Sequence, residues 1–280
     1  MQYGRIAYRH YNMKEDALYV GSLEKGLRVL GAFGSGRPSM TLREIAEACG
    51  MDKSAAQRFS HTLTQLGYLE KCGDTKRYSL GRKVLELSFN YLRANTLVEA
   101  ASPVLIDLQK RCGERVNLSL FDDTSIIYAI RQLGKREYYF SSLIGRRMPI
   151  YCTSGGRMML AHLPKEEVND ILRRCTFEAL TPKTIHDPAK VRARIAEARE
   201  KGYALTVEET VIGEQVVAGA ILDANGRPAA AVHIAGSLGE WTPTQFEKKF
   251  GPMAAETANA LSRSEPPRQS AATSRRATRR

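Results

Sequence analysis

The sequence predicts an α+β protein in two parts, a small helical N-terminal part and a larger part built on one mixed or antiparallel sheet. Two observations support this fold class. Apolar residues repeat at helical spacing up to about residue 66. Strand-like alternation then dominates from residue 115 and returns after residue 203, with helical segments between. Separate runs of strands and helices are typical of α+β folds.

Two short helices joined by a tight turn are predicted between residues 42 and 66. Thr41 and Glu44 have the spacing of a capping box, which begins the first helix at residue 42. Gly50 accepts the left-handed backbone that ends a helix. Asp52 can cap the second helix. Two helices around such a glycine-containing turn form the helix-turn-helix pattern.

The second of these helices separates apolar from polar side chains. Phe59, Leu63 and Leu66 recur at positions i, i+4 and i+7 and predict its buried stripe. Lysine and arginine suit phosphate and guanine, and glutamine suits adenine. The alternative is an ordinary solvated helix face. The side chains predicted to contact DNA from this helix are Lys53, Ser54, Gln57, Arg58 and His61.

A basic hairpin is predicted directly after this helix. Residues 68–71 and 77–80 alternate like two strands around a turn-forming stretch. Lys71, Lys76 and Arg77 cluster there and are predicted to contact phosphate. A basic hairpin after a recognition helix is the wing of a winged helix, which favours DNA binding over the solvated face. The predicted DNA-binding domain covers residues 21–81.

Other segments surround this domain. Residues 1–20 lack periodicity and predict a flexible arm. The predicted helix over residues 22–33 has Leu23, Leu27 and Leu30 on one face. Residues 82–96 predict a linker helix that could supply a dimer seam. In the larger part, helices are predicted over residues 97–112, 154–163, 165–173, 188–201 and up to 261, and strands over residues 116–120, 125–130, 138–144, 203–208, 215–222 and 228–235.

Charge is concentrated at the two ends of the chain. The formal net charge is +12, of which residues 1–95 carry +6, residues 96–261 carry +1 and the serine-, proline- and arginine-rich residues 262–280 carry +5. This distribution predicts a polyanion partner for the N-terminal part. Residues 263–280 predict a disordered basic tail. No apolar run approaches the roughly 18 residues of a membrane span.

Cysteines and histidines predict no metal site or cofactor. The five cysteines form no C-x-x-C pair, and the five histidines show no metal-ligand spacing. An odd number of cysteines suits free thiols in a reducing cytoplasm. We therefore expect a cytoplasmic protein.

Six blocks of the sequence resemble the IclR family of bacterial transcription regulators. They are SLEKGLRVLGAF, LREIAEACGMDKSAAQRFSHTLTQLGYL, YSLGRKVLELS, TSGGRMMLA, REKGYALTVEE and ILDANGRPAAAVHIAG. The segment DALYVGSLEKGLRVL and the SGGR variant resemble the branch that controls aromatic-acid catabolism. The resemblance implies a winged helix-turn-helix and a GAF-like effector domain, here residues 97–262. It also implies dimers or tetramers on palindromic DNA, controlled by a small carboxylated effector.

The resemblance also implies which residues hold the effector. Backbone donors fall at Ser154, Gly155 and Gly156, at the start of a helix, where N–H groups and the helix dipole suit a carboxylate. Val216 and Ala235 replace the commoner Cys and Ser and favour a flatter, less polar acid. The pocket positions that line it are Thr206, Val216, His233 and Ala235. Three arginines near this helix start in the sequence can add charge to the site or be ordinary solvated side chains; they are Arg146, Arg147 and Arg157.

Alternatives remain open from the sequence. His233 can be a core histidine bonded to backbone. Residues 97–262 can form an enzyme with an appended DNA-binding module, or the chain can be an architectural DNA-binding protein without an effector. Glu208 and Glu209 are adjacent on a predicted strand and therefore cannot share an acid–base site. Ser154 does not meet the G-x-S-x-G pattern of a nucleophile. A ligand-responsive transcriptional regulator is the leading prediction.

Overall fold

A computed structural model of the chain describes residues 17–34, 36–134 and 144–264. Contacts divide the chain into two compact units, Met1–Tyr91 and Leu92–Arg280. The predicted arm and basic tail lie outside the described residues, except for residues 17–20 of the arm and 263–264 of the tail. In the part that is described, no helix is both long and apolar enough to cross a membrane.

The N-terminal unit is a helix-turn-helix with a small antiparallel sheet. The sheet has the order β1-β3-β2, so it contains one short strand that the sequence did not predict. The strand β1 precedes α2 and pairs with the second strand of the predicted hairpin. The elements are α1 (Gly21–Gly31), β1 (Ser39–Met40), α2 (Leu42–Cys49), α3 (Lys53–Gln65), β2 (Leu69–Lys71), β3 (Tyr78–Leu80) and α4 (Val84–Ala94).

The predicted caps of α2 and α3 are confirmed. The Glu44 N–H donates to Thr41 Oγ1 at 3.3 Å, and the Thr41 N–H donates to Glu44 Oε2 at 2.7 Å. Gly50 ends α2 with φ 59°. Asp52 Oδ1 accepts from the Ala55 N–H at 2.8 Å. Local hydrogen bonds therefore begin and end the two helices as the sequence indicates.

Two predicted apolar faces are partly wrong. Leu63 of α3 is buried and Phe59 is partly buried, but Leu66 is 50% exposed. Leu66 is the C-cap of α3 and its N–H still donates to the Thr62 carbonyl oxygen, so it keeps helical geometry but lies at the end of the helix that the core does not cover. Leu23 and Leu27 of α1 are also exposed, because only the C-terminal end of α1 reaches the core through Val29 and Leu30.

In its described residues, the C-terminal unit contains one six-stranded sheet between two layers of helices. All strand pairs are antiparallel, in the order β6-β5-β4-β9-β8-β7. The predicted Asn225-Gly226 turn joins β8 and β9, with Gly226 at φ 73°. The strands are β4 (Arg115–Asp122), β5 (Ser125–Gln132), β6 (Arg147–Pro149), β7 (Ala204–Val207), β8 (Glu214–Leu222) and β9 (Pro228–Ser237), and the helices are α5 (Thr96–Cys112), α6 (Ser154–Ala161), α7 (Lys165–Arg174), α8 (Pro188–Lys201) and α9 (Pro243–Ser264).

The two faces of this sheet differ in polarity. Val116, Leu118 and Val232 lie on the face that packs against α5 and α9 in an apolar core. The opposite face carries Asn117 and His233 and packs against α6. Side chains alternate between faces along each strand, so the polar residues of β4 and β9 are held together beneath α6.

The sheet differs from the prediction at β6 and after β7, and one predicted strand falls almost wholly outside the described residues. The short strand β6 was not predicted from the sequence. The predicted strand over residues 138–144 lies outside the described residues, except for Ile144, which is in a turn. Glu208 and Glu209 follow β7 and are not part of it, and Glu208 has a left-handed φ of 57°. The two side chains do diverge, as predicted. The predicted reason, opposite faces of one strand, was wrong.

Candidate DNA-reading surface and buried polar site

The polar face of α3 is open to solvent. All five predicted DNA-contacting residues of this helix are exposed, while Ala55, Ala56 and Leu63 turn into the core. The Asp52 cap fixes the N-terminal end of α3, from which the first of these side chains project. The exposed residues are Lys53, Ser54, Gln57, Arg58 and His61.

The three basic residues of the wing have different surroundings. Lys71 and Lys76 are exposed, and the Lys71 ammonium lies 5.4 Å from the ring centre of Tyr78. Arg77 instead donates from Nε to Ser39 Oγ at 3.0 Å and from Nη2 to Glu44 Oε2 at 2.9 Å. Arg77 thus ties the wing to β1 and α2, and its guanidinium has less capacity left for phosphate than a free side chain has.

The four predicted pocket residues from the sheet lie on one face. Val216 pairs with both Thr206 and Ala235 across neighbouring strands, and His233 lies two residues before Ala235 on β9. Residues two apart on a strand share a face. All four are buried, and α6 packs on the strands that carry His233 and Val216. The fold thus brings residues 154–156, 206, 216, 233 and 235 into one region of the unit.

The two glycines at the start of α6 are required by close packing. A Cβ atom on Gly155 would lie 2.3 Å from His233 Cε1, and one on Gly156 would lie 2.1 Å from the Ile150 carbonyl oxygen. The Gly156 N–H donates to Thr153 Oγ1, which caps the helix. The N–H groups of Ser154 and Gly155 belong to the first turn, where a helix supplies no acceptor of its own.

His233 is a buried neutral imidazole with a side-chain partner. Its Nε2 lies 2.7 Å from Ser119 Oγ, and its ring centre lies 5.5 Å from that of Tyr128. Burial, with a smaller contribution from the Arg115 charge, lowers the pKa of His233 to about 3. Within the described residues, His233 Nδ1, Asn117 Oδ1 and Ser154 Oγ have no hydrogen-bond partner. The alternative prediction, a core histidine bonded to backbone, is not what the structure shows, because the partner of Nε2 is the Ser119 side chain.

Arg157 is the feature of this region that the sequence interpretation missed. It is 1% exposed and forms a two-bond ion pair with Glu209, at 2.6 Å and 2.7 Å. Its Nε donates to the Tyr151 carbonyl oxygen, and the Ile185 N–H donates to Glu209 Oε2. Its donors are thus engaged in holding α6 to the segment after β7, so the expectation that Arg157 adds charge for a ligand was wrong. Arg147 pairs with Asp122.

A cavity of about 520 Å³ opens at one end of the sheet. Of the predicted effector residues it contacts Ala235, and it also contacts Arg115 and Glu214, which form a partly buried ion pair. Arg115 lies directly opposite Ala235 in the β4–β9 register. The cavity therefore reaches the register pair next to Asn117 and His233. Among the residues described, no group of three or more His, Cys, Asp or Glu is placed to hold a metal ion.

Family models match both units of the chain. The IclR helix-turn-helix domain matches residues 22–72, and the bacterial transcriptional regulator IclR C-terminal model matches residues 89–263. The chain belongs to the IclR family of transcriptional regulators. The family shows that this protein is a DNA-binding regulator with an N-terminal helix-turn-helix and a C-terminal α/β domain. It is not an enzyme, which answers the alternative that the sequence left open.

Several individual proteins of the IclR family are similar to this chain. The Pca regulon regulatory protein of Pseudomonas putida is 32% identical over 85% of this chain and 81% of its own length. The p-hydroxybenzoate hydroxylase transcriptional activator of Acinetobacter baylyi is 28% identical over 87% of this chain and 91% of its own. The crystal structure of the Thermotoga maritima IclR covers 88% of this chain and 99% of its own, with 30% identity and a TM-score of 0.65.

Proposed function

We propose that this regulator binds operator DNA through α3 and the wing, and that a small carboxylic acid bound between the sheet and α6 changes that binding. The observation that supports an effector most is the shared sheet face of Thr206, Val216, His233 and Ala235 beneath the start of α6. Ser154 and His233 there carry buried polar atoms without partners in the described residues. A purely architectural DNA-binding protein has no use for such a face.

Base reading is proposed for the exposed face of α3. Gln57 suits an adenine edge and Arg58 suits guanine, while Lys53, Ser54 and His61 flank them and contact bases or phosphate. Lys71 and Lys76 of the wing are proposed to contact phosphate, with Arg77 contributing mainly by positioning the wing. Phosphate contacts add affinity that depends on salt and not on sequence.

The effector carboxylate is proposed to lie at the first turn of α6. The N–H groups of Ser154 and Gly155, with the positive end of the helix dipole, favour an anion there. Gly156 acts indirectly, because its N–H is already bonded to Thr153. Its missing side chain lets the turn pack against Ile150.

An aromatic acid is the proposed class of effector. Val216 and Ala235 are apolar walls, and Thr206 and His233 add polar groups on the same face. The names of two relatives, which refer to the Pca regulon and to p-hydroxybenzoate hydroxylase, point toward genes of aromatic-acid catabolism. We propose that the same kind of genes is controlled here.

A homodimer, or a tetramer of two dimers, is proposed as the DNA-bound form. Leu87 and Tyr91, one turn apart on α4, are each 56% exposed, and Leu23 and Leu27, one turn apart on α1, are 63% and 50% exposed. Exposed apolar patches on a helix are typical of protein interfaces. A symmetric dimer reads a palindromic operator with half-sites about one helical turn apart. We place this activity in the bacterial cytoplasm.

The effector proposal is tested with the full-length protein and the DNA upstream of its own gene. Thermal-shift screening of aromatic and aliphatic acids finds ligands, because a ligand of the folded state raises the unfolding temperature by mass action. Any hit is then tested for its effect on the DNA affinity. A panel that includes protocatechuate and 4-hydroxybenzoate, with glyoxylate and pyruvate as small acids, separates the aromatic class from the small acids. Tight binding of glyoxylate and none of either aromatic acid would contradict the proposed class.

A further inference from the structure

Three polar residues lie together on the sheet face beneath α6. Asn117 of β4 is directly opposite His233 of β9, and Ser119 Oγ lies 2.7 Å from His233 Nε2. None of the three is more than 1% exposed. A buried side-chain nitrogen or oxygen atom nearly always has at least one hydrogen-bond partner.

Two atoms of this group have no partner in the described part of the chain. They are Asn117 Oδ1 and His233 Nδ1. Cβ atoms of residues directly opposite each other on antiparallel strands are only about 5 Å apart. One small polar group can therefore bond to both atoms, and leaving both unbonded costs free energy.

Ser119 determines which nitrogen of His233 carries the proton. The imidazole is neutral, because burial lowers the pKa of His233. If the Ser119 hydroxyl donates to Nε2, the proton lies on Nδ1 and only that N–H lacks a partner. In the opposite arrangement, the Ser119 proton and the Nδ1 lone pair both lack partners. The first arrangement leaves fewer polar atoms unbonded and is favoured.

We infer that Asn117 and His233 recognise a hydroxyl group of the effector, with Ser119 as the residue that positions His233. A hydroxyl accepts from the Nδ1–H of His233 and donates to Asn117 Oδ1, whereas a carboxylate only accepts and a methyl group does neither. The effector is therefore a hydroxylated carboxylic acid. This inference rests on the proposed effector function of the same sheet face.

The end-of-sheet cavity supplies a place for such a ligand. Arg115 and Ala235, which line the cavity, form the register pair next to Asn117 and His233 on the same face. Their backbones are two residues away along each strand, roughly 7 Å. Asn117 and His233 do not line the cavity themselves, so the hydroxyl reaches them only if the ligand extends from this end of the cavity along the sheet face by about that distance.

The inference is tested by calorimetry with matched acids that differ by one hydroxyl. The pairs are 4-hydroxybenzoate with benzoate, and lactate with propionate. We expect the hydroxylated member of at least one pair to bind at least about tenfold tighter, since a site built for a hydroxyl rejects an analogue that lacks it. Equal affinity within both pairs means that water occupies the position, and it overturns the inference while the proposed effector function stands. If none of these four acids binds, the inference fails, and the wider screen of acids decides the proposed function separately.

Two substitutions assign the preference to these residues. Asn117→Leu keeps the shape of the side chain but removes the acceptor, and Ser119→Ala removes the partner of His233. Each is expected to reduce the preference for the hydroxylated acid by about tenfold, measured as the ratio of the two Kd values in the same variant. Ser60→Ala is the matched control, because Ser60 is a fully buried serine of the N-terminal unit. An unchanged preference in both variants overturns the inference.

A second measurement tests the role of Ser119 without any ligand. Nitrogen-15 NMR of labelled histidines distinguishes the two neutral tautomers, and His233→Gln assigns the resonance of His233. The parent protein is expected to carry the His233 proton on Nδ1, and Ser119→Ala is expected to shift the population toward Nε2. A parent protein with the proton on Nε2 overturns the assigned role of Ser119.

Discussion

The imidazole of His233 occupies the space that a side chain at residue 155 would need. A Cβ atom on Gly155 would lie 2.3 Å from His233 Cε1 and 2.6 Å from Nε2. Because His233 is bonded to Ser119 and packed against Tyr128, its ring has little freedom to move away. The glycine at the start of α6 and the histidine on the sheet are therefore one structural unit.

Gly155→Ala is expected to destabilise the protein by about 1–3 kcal/mol, the usual cost of overpacking a core. Urea unfolding measures this loss. Gly239→Ala is the control, since a Cβ there meets nothing closer than 3.5 Å. In the double variant with His233→Ala, the clash with the imidazole is removed and part of the loss should be recovered. A Gly155→Ala protein as stable as the parent would show that α6 is not packed on His233.

Arg157 and Glu209 provide a second stability prediction. Both side chains are at most 5% exposed, so Arg157→Met leaves a buried carboxylate without its partner. The expected cost is about 3–5 kcal/mol. Adding Glu209→Gln should cost less than the two single changes combined, because the pair acts as one unit. Arg43→Met, in the exposed pair with Glu47, should change stability little. Additive effects at 157 and 209 would argue against the buried pair.

The stability of the protein should depend on the protonation of His233. In the folded state the pKa is lowered from 6.5 to about 3, so the unfolded chain binds the proton first as pH falls. This contribution is fully present above about pH 6.5 and is lost toward pH 3, at about 1.4 kcal/mol per pH unit. Denaturant unfolding from pH 7 to pH 4 should show a shallower slope for His233→Gln than for the parent. Exposed His61→Gln is the control, and identical slopes for the parent and His233→Gln would contradict the assignment.

The proposed recognition helix is tested at Gln57 and Arg58 of α3, with Gln65 as the control. Gln57→Ala and Arg58→Ala should each weaken operator binding by about 1–3 kcal/mol and relax the sequence preference. Gln65→Ala is the matched control, because Gln65 is exposed at the far end of the same helix. Fluorescence anisotropy with labelled promoter DNA measures all three. Parent-like binding by the Gln57 and Arg58 variants would mean that another surface reads the DNA.

The salt dependence of DNA binding tests whether the wing contacts DNA. Replacing both Lys71 and Lys76 should lower the slope of log K against log salt by about two if each contacts one phosphate. Lys76→Asn is preferred to alanine, because Lys76 has φ 53° and asparagine tolerates that backbone. Arg77→Ala is expected to impair folding of the wing as well, since Arg77 holds Ser39 and Glu44. An unchanged slope in the lysine double variant would argue against a DNA-contacting wing.

Local signals in the sequence predicted most of the secondary structure. Thr41, Glu44, Gly50 and Asp52 act within a few residues of their own positions, and the structure forms the caps that they predict. The exposed leucines of α1 could not be predicted this way, because spacing shows which residues share a face and not whether the core reaches that face. The partners of the side chains in the candidate site are harder to predict from the sequence.

Long-range partners explain what sequence reasoning missed in the candidate site. Arg157 pairs with a residue 52 positions away, and Ser119 bonds to a residue 114 positions away. From the sequence alone, an arginine in a helix is expected to be solvated, and a serine in an alternating strand indicates no special role. The one available signal was the strand alternation that places Asn117 and Ser119 on the same face, opposite to Leu118.

A small acid is proposed to control DNA binding through the site at His233. The most direct measurement is an anisotropy titration of the protein's own upstream DNA at fixed salt, with and without 4-hydroxybenzoate or protocatechuate. A ligand that prefers one of two states changes the apparent affinity by that preference. We expect at least one of the acids to shift the Kd of the parent protein for this DNA. The same acid should leave the Kd of His233→Ala unshifted, while His233→Ala without acid binds the DNA as the parent does. The same Kd for the parent protein with and without each acid would contradict control by such an effector.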